Sequence, residues 1–443
     1  MAYSAKCDTS PPTKWWITGT GSVVNRLSEV MDDNAAGVEF DDDPGVYEPW
    51  TTFMTEHIED KSYQVHLDLE IGDGSTPTTL LSKDEFVYWD SGAEFTIKNS
   101  ASLTLGVLTE GEGVSGSFWY FDLAGDLDVI VSGQTTAIFN MYGSRITKTG
   151  NQYIHVADGD IVLNNSVIDC GNPGWSSLRI SNYQNLTIKD LLVENAMAFR
   201  MDDTGASITN LHVTNTRYGF YSWIYSGGAT ITLTGGKFTD YDGFGSFFYV
   251  NSTTNPLHLV AVDVEEGTGT PTIVGNEGNS VTEKYTINIH VADKTGGAIA
   301  NTATVACKRA NVVTESTKFY KCIEAHTSGT FADDLAAGKW EEITDSTILD
   351  AAPAWLTTTD YVSAEAEFSE NPTNGAIAEQ IITYKKWAGT SELETKYIHT
   401  FTTSETGYET LTLDNITVGG PIDWHLGLQP QKQPPALWQE GMM

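Results

Sequence analysis

The 443-residue chain carries 59 acidic against 24 basic residues, a formal net charge of −35. A surface of that sign repels nucleic acid and anionic membranes, and no basic patch is present to neutralise phosphates, so direct DNA or RNA binding is set aside. Hydrophobic residues at 40% and aromatics at 11% mark a folded chain with ample core rather than a disordered one. Helix signals are scarce and Thr, Val, Ile, Gly and Asn abundant, which predicts an all-β class. Cys7, Cys170, Cys307 and Cys322 have no metal-ligand spacing and are too few for a disulfide framework; buried free thiols are expected, with Cys307 and Cys322 placed to meet in one module.

Taken in order, residues 1–56 read as an N-terminal arm. Pro11-Pro12 breaks structure, Leu27 to Met31 fits one short helix, and Asp41-Asp42-Asp43 before Pro44-Gly45 marks a solvated turn. Trp15, Trp16 and Trp50 point to packing against a neighbour. The arm lacks the apolar core of a secretory signal and no segment reaches the roughly 20 apolar residues of a membrane helix, so release by cell lysis is expected.

Residues 57–266 predict a right-handed parallel β-helix. The anchors Ile146, Ile168, Val193, Val213, Phe238 and Val264 recur at 22, 25, 20, 25 and 26 residues, each flanked by alternating apolar and polar positions. An interval that long, without helical patterning, describes coils that bury their faces only by stacking; a sandwich of hairpins is the alternative. Two positions beyond five of the anchors stand Cys170, Asn195, Asn215, Asp240 and Glu266. At a coil corner such polar side chains can bond from one coil to the next.

Residues 267–443 predict an immunoglobulin-like or prealbumin-like sandwich interrupted by an insertion at about 310–360. The insertion holds Tyr320, Cys322, Ala325-His326-Thr327-Ser328 and Trp340. This string resembles small chitin-binding-like modules of carbohydrate-binding families 5 and 12, and inserted copies of it in phage tail and virion proteins, which share the Asp334 to Gly338 segment. The resemblance implies that Tyr320 and Trp340 form either a ligand platform or a small core. The start of the β-helix, with Gly72-Asp73-Gly74 and the strands after it, is similar in style to β-helical proteins of marine bacteriophages.

Candidate chemistry is sparse. Hydrolysis of a glycan needs two carboxylates flanking a groove, and the pairs to consider are Asp202-Asp203, Asp240/Asp242 and Asp158/Asp160. Adjacent residues of a strand face opposite ways, and Asp240/Asp242 precedes a Gly turn where Asp is expected for local reasons. Arg145, Arg179, Arg200 and Arg217 carry no mark of a lyase base. The nine histidines show no HxH or HExxH pattern, and Asp240-Tyr241-Asp242-Gly243 lacks the closing Glu of a calcium loop. No catalytic residue, metal or cofactor is assigned. The aromatics Phe118 to Phe121 and Tyr218, Phe220, Tyr221, Trp223 and Tyr225 either fill the coil interior or present a sugar-stacking or subunit-packing face.

The expected function is therefore a structural protein on a phage virion exterior, a tail fibre, spike or capsid decoration that adheres to glycans. The resemblance implies a homotrimer whose partners are other virion proteins; Trp438 in the Pro-rich C-terminal stretch is expected to dock on a neighbouring subunit. A β-helical polysaccharide depolymerase is the alternative.

Overall fold

The computed structural model describes residues 3–7, 14–19, 24–28, 62–65, 68–89, 93–109, 113–130, 133–202, 205–224, 229–239, 247–265, 270–293, 295–297, 302–344, 352–357 and 359–431. The acidic run at Asp41, the residues Trp50, Asp203, Tyr225, Asp240, Asp242, Glu266 and Trp438, and most of the helix expected from Leu27 lie outside them. Strand accounts for 62% and helix for 2%, so the chain is all-β. Two compact units are present: Met1–Val281 with Ala388–Glu392, and Thr282–Trp387 with Leu393–Met443. No helix among the described residues is long and apolar enough to cross a membrane.

The first unit is a parallel β-solenoid of about seven turns. Each coil contributes to three strand ladders. On the first face, Leu127, Ile154, Leu178, Phe199, Phe220 and Phe248 pair rung to rung, and every one of them is buried. On the second, Leu163, Ile188, Ile208, Leu233 and Ala261 form the same kind of column. On the third, the anchors read from the sequence meet directly: Ile146 with Ile168, then Val193, Val213 and Phe238. Period-two alternation sends these side chains inward and their neighbours outward. Each fully buried one stabilises the stack by roughly 1.5–3 kcal/mol.

Two details depart from the repeat as read. Lys237 bridges to Glu265, a spacing of 28 residues, so Val264 stands two positions away from Phe238's partner. A slip of two leaves every side chain on the same face, which is why alternation alone missed it. The ladder also starts earlier and ends later than 57–266. Lys14–Gly19 pairs in parallel with Asp68–Ile71, Val24–Arg26 pairs with Thr78–Ser82, and Thr272–Gly275 pairs with Phe248–Ser252. Part of the expected arm is thus solenoid, with Ile17 and Leu27 fully buried. Tyr3–Cys7 pairs antiparallel to Lys14–Gly19 and ends the parallel run.

The corner between the second and third faces is made by residues at positive φ: Asn165, Asp190, Asn210, the pair Gly235-Gly236, and Asp263. Asn and Asp tolerate this left-handed backbone because their short polar side chains bond locally. They also bond between coils. Asn210 Nδ2 donates to Asp190 Oδ1 at 2.6 Å, and at the next corner Asn195 Nδ2 donates to Asp169 Oδ1 at 2.9 Å while Asn215 Nδ2 donates to Asn195 Oδ1. Of the corner positions expected from the sequence, Asn195 and Asn215 bond from coil to coil, with Asp169 in the place given to Cys170. Arg145 adds an outer clasp, donating from Nη2 to Asp169 at 2.8 Å and to Glu194 at 2.6 Å.

In the second unit, Thr304–Glu315 is flanked antiparallel by Glu365–Glu370 on one side and Leu393–Ser404 on the other, and Leu411–Ile416 continues from the latter. Ser280–Asp293 pairs in parallel with Ile422–Leu428. One core gathers Ile287, Ile289, Val291, Val305, Cys307, Phe401 and Leu426. The far end of Thr304–Glu315 pairs with Lys318–Cys322 and through it with Trp340–Ile343. Cys170, Cys307 and Cys322 are free and buried. Cys307 and Cys322 do not meet, because they belong to separate cores.

Candidate functional site

Tyr320 and Trp340 stand in a small core of their own, 7% and 3% exposed, packed with Val313, Cys322, Tyr361, Phe331 and Trp355. The rest of the motif serves that core. His326 packs on Trp340 at 5.5 Å and on Tyr361 at 5.9 Å between ring centroids. Ser328 Oγ donates to Leu356 O at 2.7 Å. Asp334, 3% exposed, accepts from Gly329 N and from Lys339 Nζ. Thr330 caps the six-residue helix Phe331–Ala336, accepting from Asp333 N. The two rings are thus packed inside this small core, where a ligand would not meet a free aromatic face.

The carboxylate candidates among the described residues are likewise engaged. Asp158 accepts from Gly133 N, and Asp160 accepts from Asn185 Nδ2 at 2.7 Å. Asp202 is 4% exposed and accepts from Arg179 Nε at 2.6 Å and from Arg200 Nε at 2.8 Å, one on each oxygen. Both Asp202 oxygens are thus occupied as acceptors.

What the Arg–Asp–Arg clamp does is organise a stripe on the outside of the first face. The outward positions of successive coils are Asp128, His155, Arg179, Arg200, Tyr221, Tyr249 and Thr272, paired rung to rung. At about 4.8 Å per rung, Asp128 to Tyr249 spans roughly 24 Å. Tyr221 and Tyr249 stack face to face at 4.4 Å and 4°. Tyr218 meets both edge-on at 6.0 and 5.9 Å, and Trp223 lies 6.1 Å from Tyr221. The Arg200 guanidinium sits over Tyr153, Tyr221 and Trp223 at 5.4–5.8 Å, and Arg217 over Tyr218 at 5.6 Å. Burial pushes the Tyr221 hydroxyl up, aided by Tyr249, and pushes Tyr249 up too, so both stay neutral donors. Burial works to lower Arg200, but its bond to Asp202 more than offsets this, and the guanidinium stays charged. Trp175 stands at the corner leading into Ser177–Ser181 and is 67% exposed, more than any other large apolar side chain among the described residues.

The other end of the stripe is polar. Asp128 Oδ1 lies 3.0 Å from His155 Nδ1, and His155 Nε2 lies 2.9 Å from Ser181 Oγ. A carboxylate only accepts, so Nδ1 donates to Asp128, leaving Nε2 within hydrogen-bond reach of the serine hydroxyl. The connectivity is that of a nucleophile, base and orienting acid. The exposure is inverted, however: Ser181 is 4% exposed and the Asp128 side chain 44%.

No protein-family model, curated protein or solved structure matches the chain. The stripe therefore carries the functional argument by its own geometry. Arg179, Arg200, Arg217, Tyr221 and Trp223 were candidates in sequence; Asp128, His155, Trp175, Ser181 and Tyr249 were not. The signal that would have found them is outward polarity recurring at one coil length.

Proposed function

We propose that this chain is a rigid adhesive protein of a phage virion exterior that holds a glycan along the outer stripe of its solenoid. The observation that carries the reading is the half-buried ring of Tyr249, stacked on a buried Tyr221 that Arg200 covers, on the same solenoid as the exposed ring of Trp175. Flat rings take the C–H faces of sugars, while tyrosine hydroxyls and guanidinium edges take their oxygens. Clamping by Asp202 means these groups lose little freedom on binding, which preorganises the face. The charge of −35 repels anionic polymers at long range, so the favoured ligand is a neutral polysaccharide. The same reading takes the second unit as an immunoglobulin-like sandwich displaying a carbohydrate-binding-like module, the assembly as a homotrimer, and its partners as other virion proteins, in line with the resemblance of Lys318 to Ile343.

In affinity electrophoresis the full chain is expected to be retarded by gels containing a neutral polysaccharide. Retardation is expected to persist in high salt, because stacking is not screened as ion pairs are. Unretarded migration through a panel of neutral polysaccharides, or retardation abolished by salt, would sink the proposal.

A hydrolytic reading is favoured by one observation, the Asp128–His155–Ser181 relay. It would make the chain a glycan-processing esterase acting through Ser181. Turnover of p-nitrophenyl acetate that disappears in Ser181→Ala supports that reading, and turnover equal to the buffer background removes it.

A further inference from the structure

We infer that His290, Asp423 and His425 form a binding site for a divalent transition-metal ion on the second unit. The strands Ser280–Asp293 and Ile422–Leu428 run parallel and in register, placing His290 directly opposite His425 and Asn288 opposite Asp423. Strand alternation fixes which way these side chains face. Ile289 and Val291, on either side of His290, are 1% exposed and turned into the core. Trp424, between Asp423 and His425, packs on the same core with its ring 4.7 Å from Phe401. The ligands are thereby turned outward together, with side chains 44%, 62% and 77% exposed for His290, Asp423 and His425.

Their spacing is that of a coordination sphere rather than of a hydrogen-bonded cluster. His290 Nε2 lies 3.4 Å and His425 Nε2 3.9 Å from the same Asp423 oxygen, longer than the roughly 2.7–3.2 Å of a direct bond. All three donor atoms lie within 4.8 Å of one another. An ion with metal–ligand distances of about 2.0–2.1 Å in tetrahedral geometry sets its ligands about 3.3 Å apart, so side-chain adjustments suffice to close the set. The imidazole rings stack at 4.6 Å and 11°, so closing the set on one ion requires at least one of these exposed rings to rotate until the ion lies in its plane. Two imidazoles and one carboxylate on one open face select ions such as Zn²⁺ over the hard, oxygen-preferring Ca²⁺ and Mg²⁺, and leave further positions to water.

The experiment is equilibrium dialysis of the tag-free full chain with ZnCl₂ in about 0.15 M NaCl, with CaCl₂ in large excess to occupy surface carboxylates. One zinc per chain is expected to survive the calcium, and His290→Ala and His425→Ala are each expected to weaken it at least about tenfold. Because both side chains are exposed, an unchanged circular dichroism spectrum separates loss of a ligand from loss of fold. Co²⁺ is expected to give visible d–d bands in the wild type that vanish in His425→Ala. Zinc displaced by calcium, or zinc binding unchanged in the double variant, overturns the assignment and leaves only adsorption to an acidic surface.

Discussion

Trp119→Ala is expected to lower the stability of the solenoid by about 3–5 kcal/mol, the usual cost of emptying a buried tryptophan site. Trp119 is wholly buried, and its ring lies 5.4 Å from Trp89, 5.1 Å from Phe95 and 6.3 Å from Phe121. Its Nε1 donates to Ser82 Oγ at 3.0 Å, and Ser82 Oγ donates on to Ser117 Oγ at 3.1 Å. Truncation therefore opens a cavity walled by rigid rings and removes the donor from a buried hydroxyl. Neither loss is easily relaxed, since the walls belong to separate coils tied by backbone ladders. The check is the denaturant midpoint of the wild type, Trp119→Ala and Trp175→Ala. Trp175→Ala deletes the same side chain at an exposed site and is expected to fall within about 0.5 kcal/mol of the wild type.

Gly236→Val is expected to be at least as damaging, through the backbone instead of the core. Gly236 has φ near +103°, in the left-handed half of the map, where a β-branched residue is strained by more than about 1–2 kcal/mol. A Cβ there would stand 2.2 Å from Leu211 O and 2.7 Å from Leu211 N on the neighbouring coil. Leu211 and Gly236 are paired rungs of the third ladder. Relief requires the two coils to part at that corner, which sacrifices hydrogen bonds on both sides of it. Gly205→Ala is the contrasting case: its φ is also positive, near +73°, yet no atom lies within 4 Å of the added Cβ. The thermal midpoint is expected to drop steeply for Gly236→Val and by far less for Gly205→Ala; equal drops would show that strain alone, and not coil contact, governs the corner.

These two sites show which parts of the molecule local sequence could reveal. The third-face column was legible because Ile146, Ile168, Val193, Val213 and Phe238 are all apolar, all flanked by polar residues, and recur at intervals of one coil. The corner ladder was legible through Asn195 and Asn215, whose type fits both a left-handed backbone and a cross-coil bond. The first coils were hidden because Lys14–Gly19 pairs with Asp68–Ile71 across a long intervening stretch, so no repeat interval announces it. The aromatic runs divided between two roles by parity: Trp119, Phe121 and Phe220 fill the interior, whereas Tyr221 and Trp223 stand at outward positions of the first face, with Tyr221 covered there by Arg200 and Tyr249. The histidine pair was invisible for a related reason. His290 and His425 are neighbours only after two distant strands pair, and a search for HxH looks along one strand and not across two. The string around Tyr320 and Trp340 was easy to see, and its burial shows that a conspicuous motif can owe its residue types to a miniature core.

The outer stripe is the central claim, and affinity electrophoresis of the double variant Trp175→Ala/Tyr249→Ala against the wild type tests it most directly. Both substitutions leave the Arg179–Asp202–Arg200 clamp in place, so an unchanged near-ultraviolet circular dichroism spectrum outside the tryptophan lost serves as the check on folding. Two stacking rings at about 0.5–1.5 kcal/mol each amount to a loss of about tenfold or more in affinity for a neutral polysaccharide. That loss, in a variant as stable as the wild type, is the result the stripe predicts. Retardation of the folded variant equal to that of the wild type would place glycan binding elsewhere on the chain and contradict it.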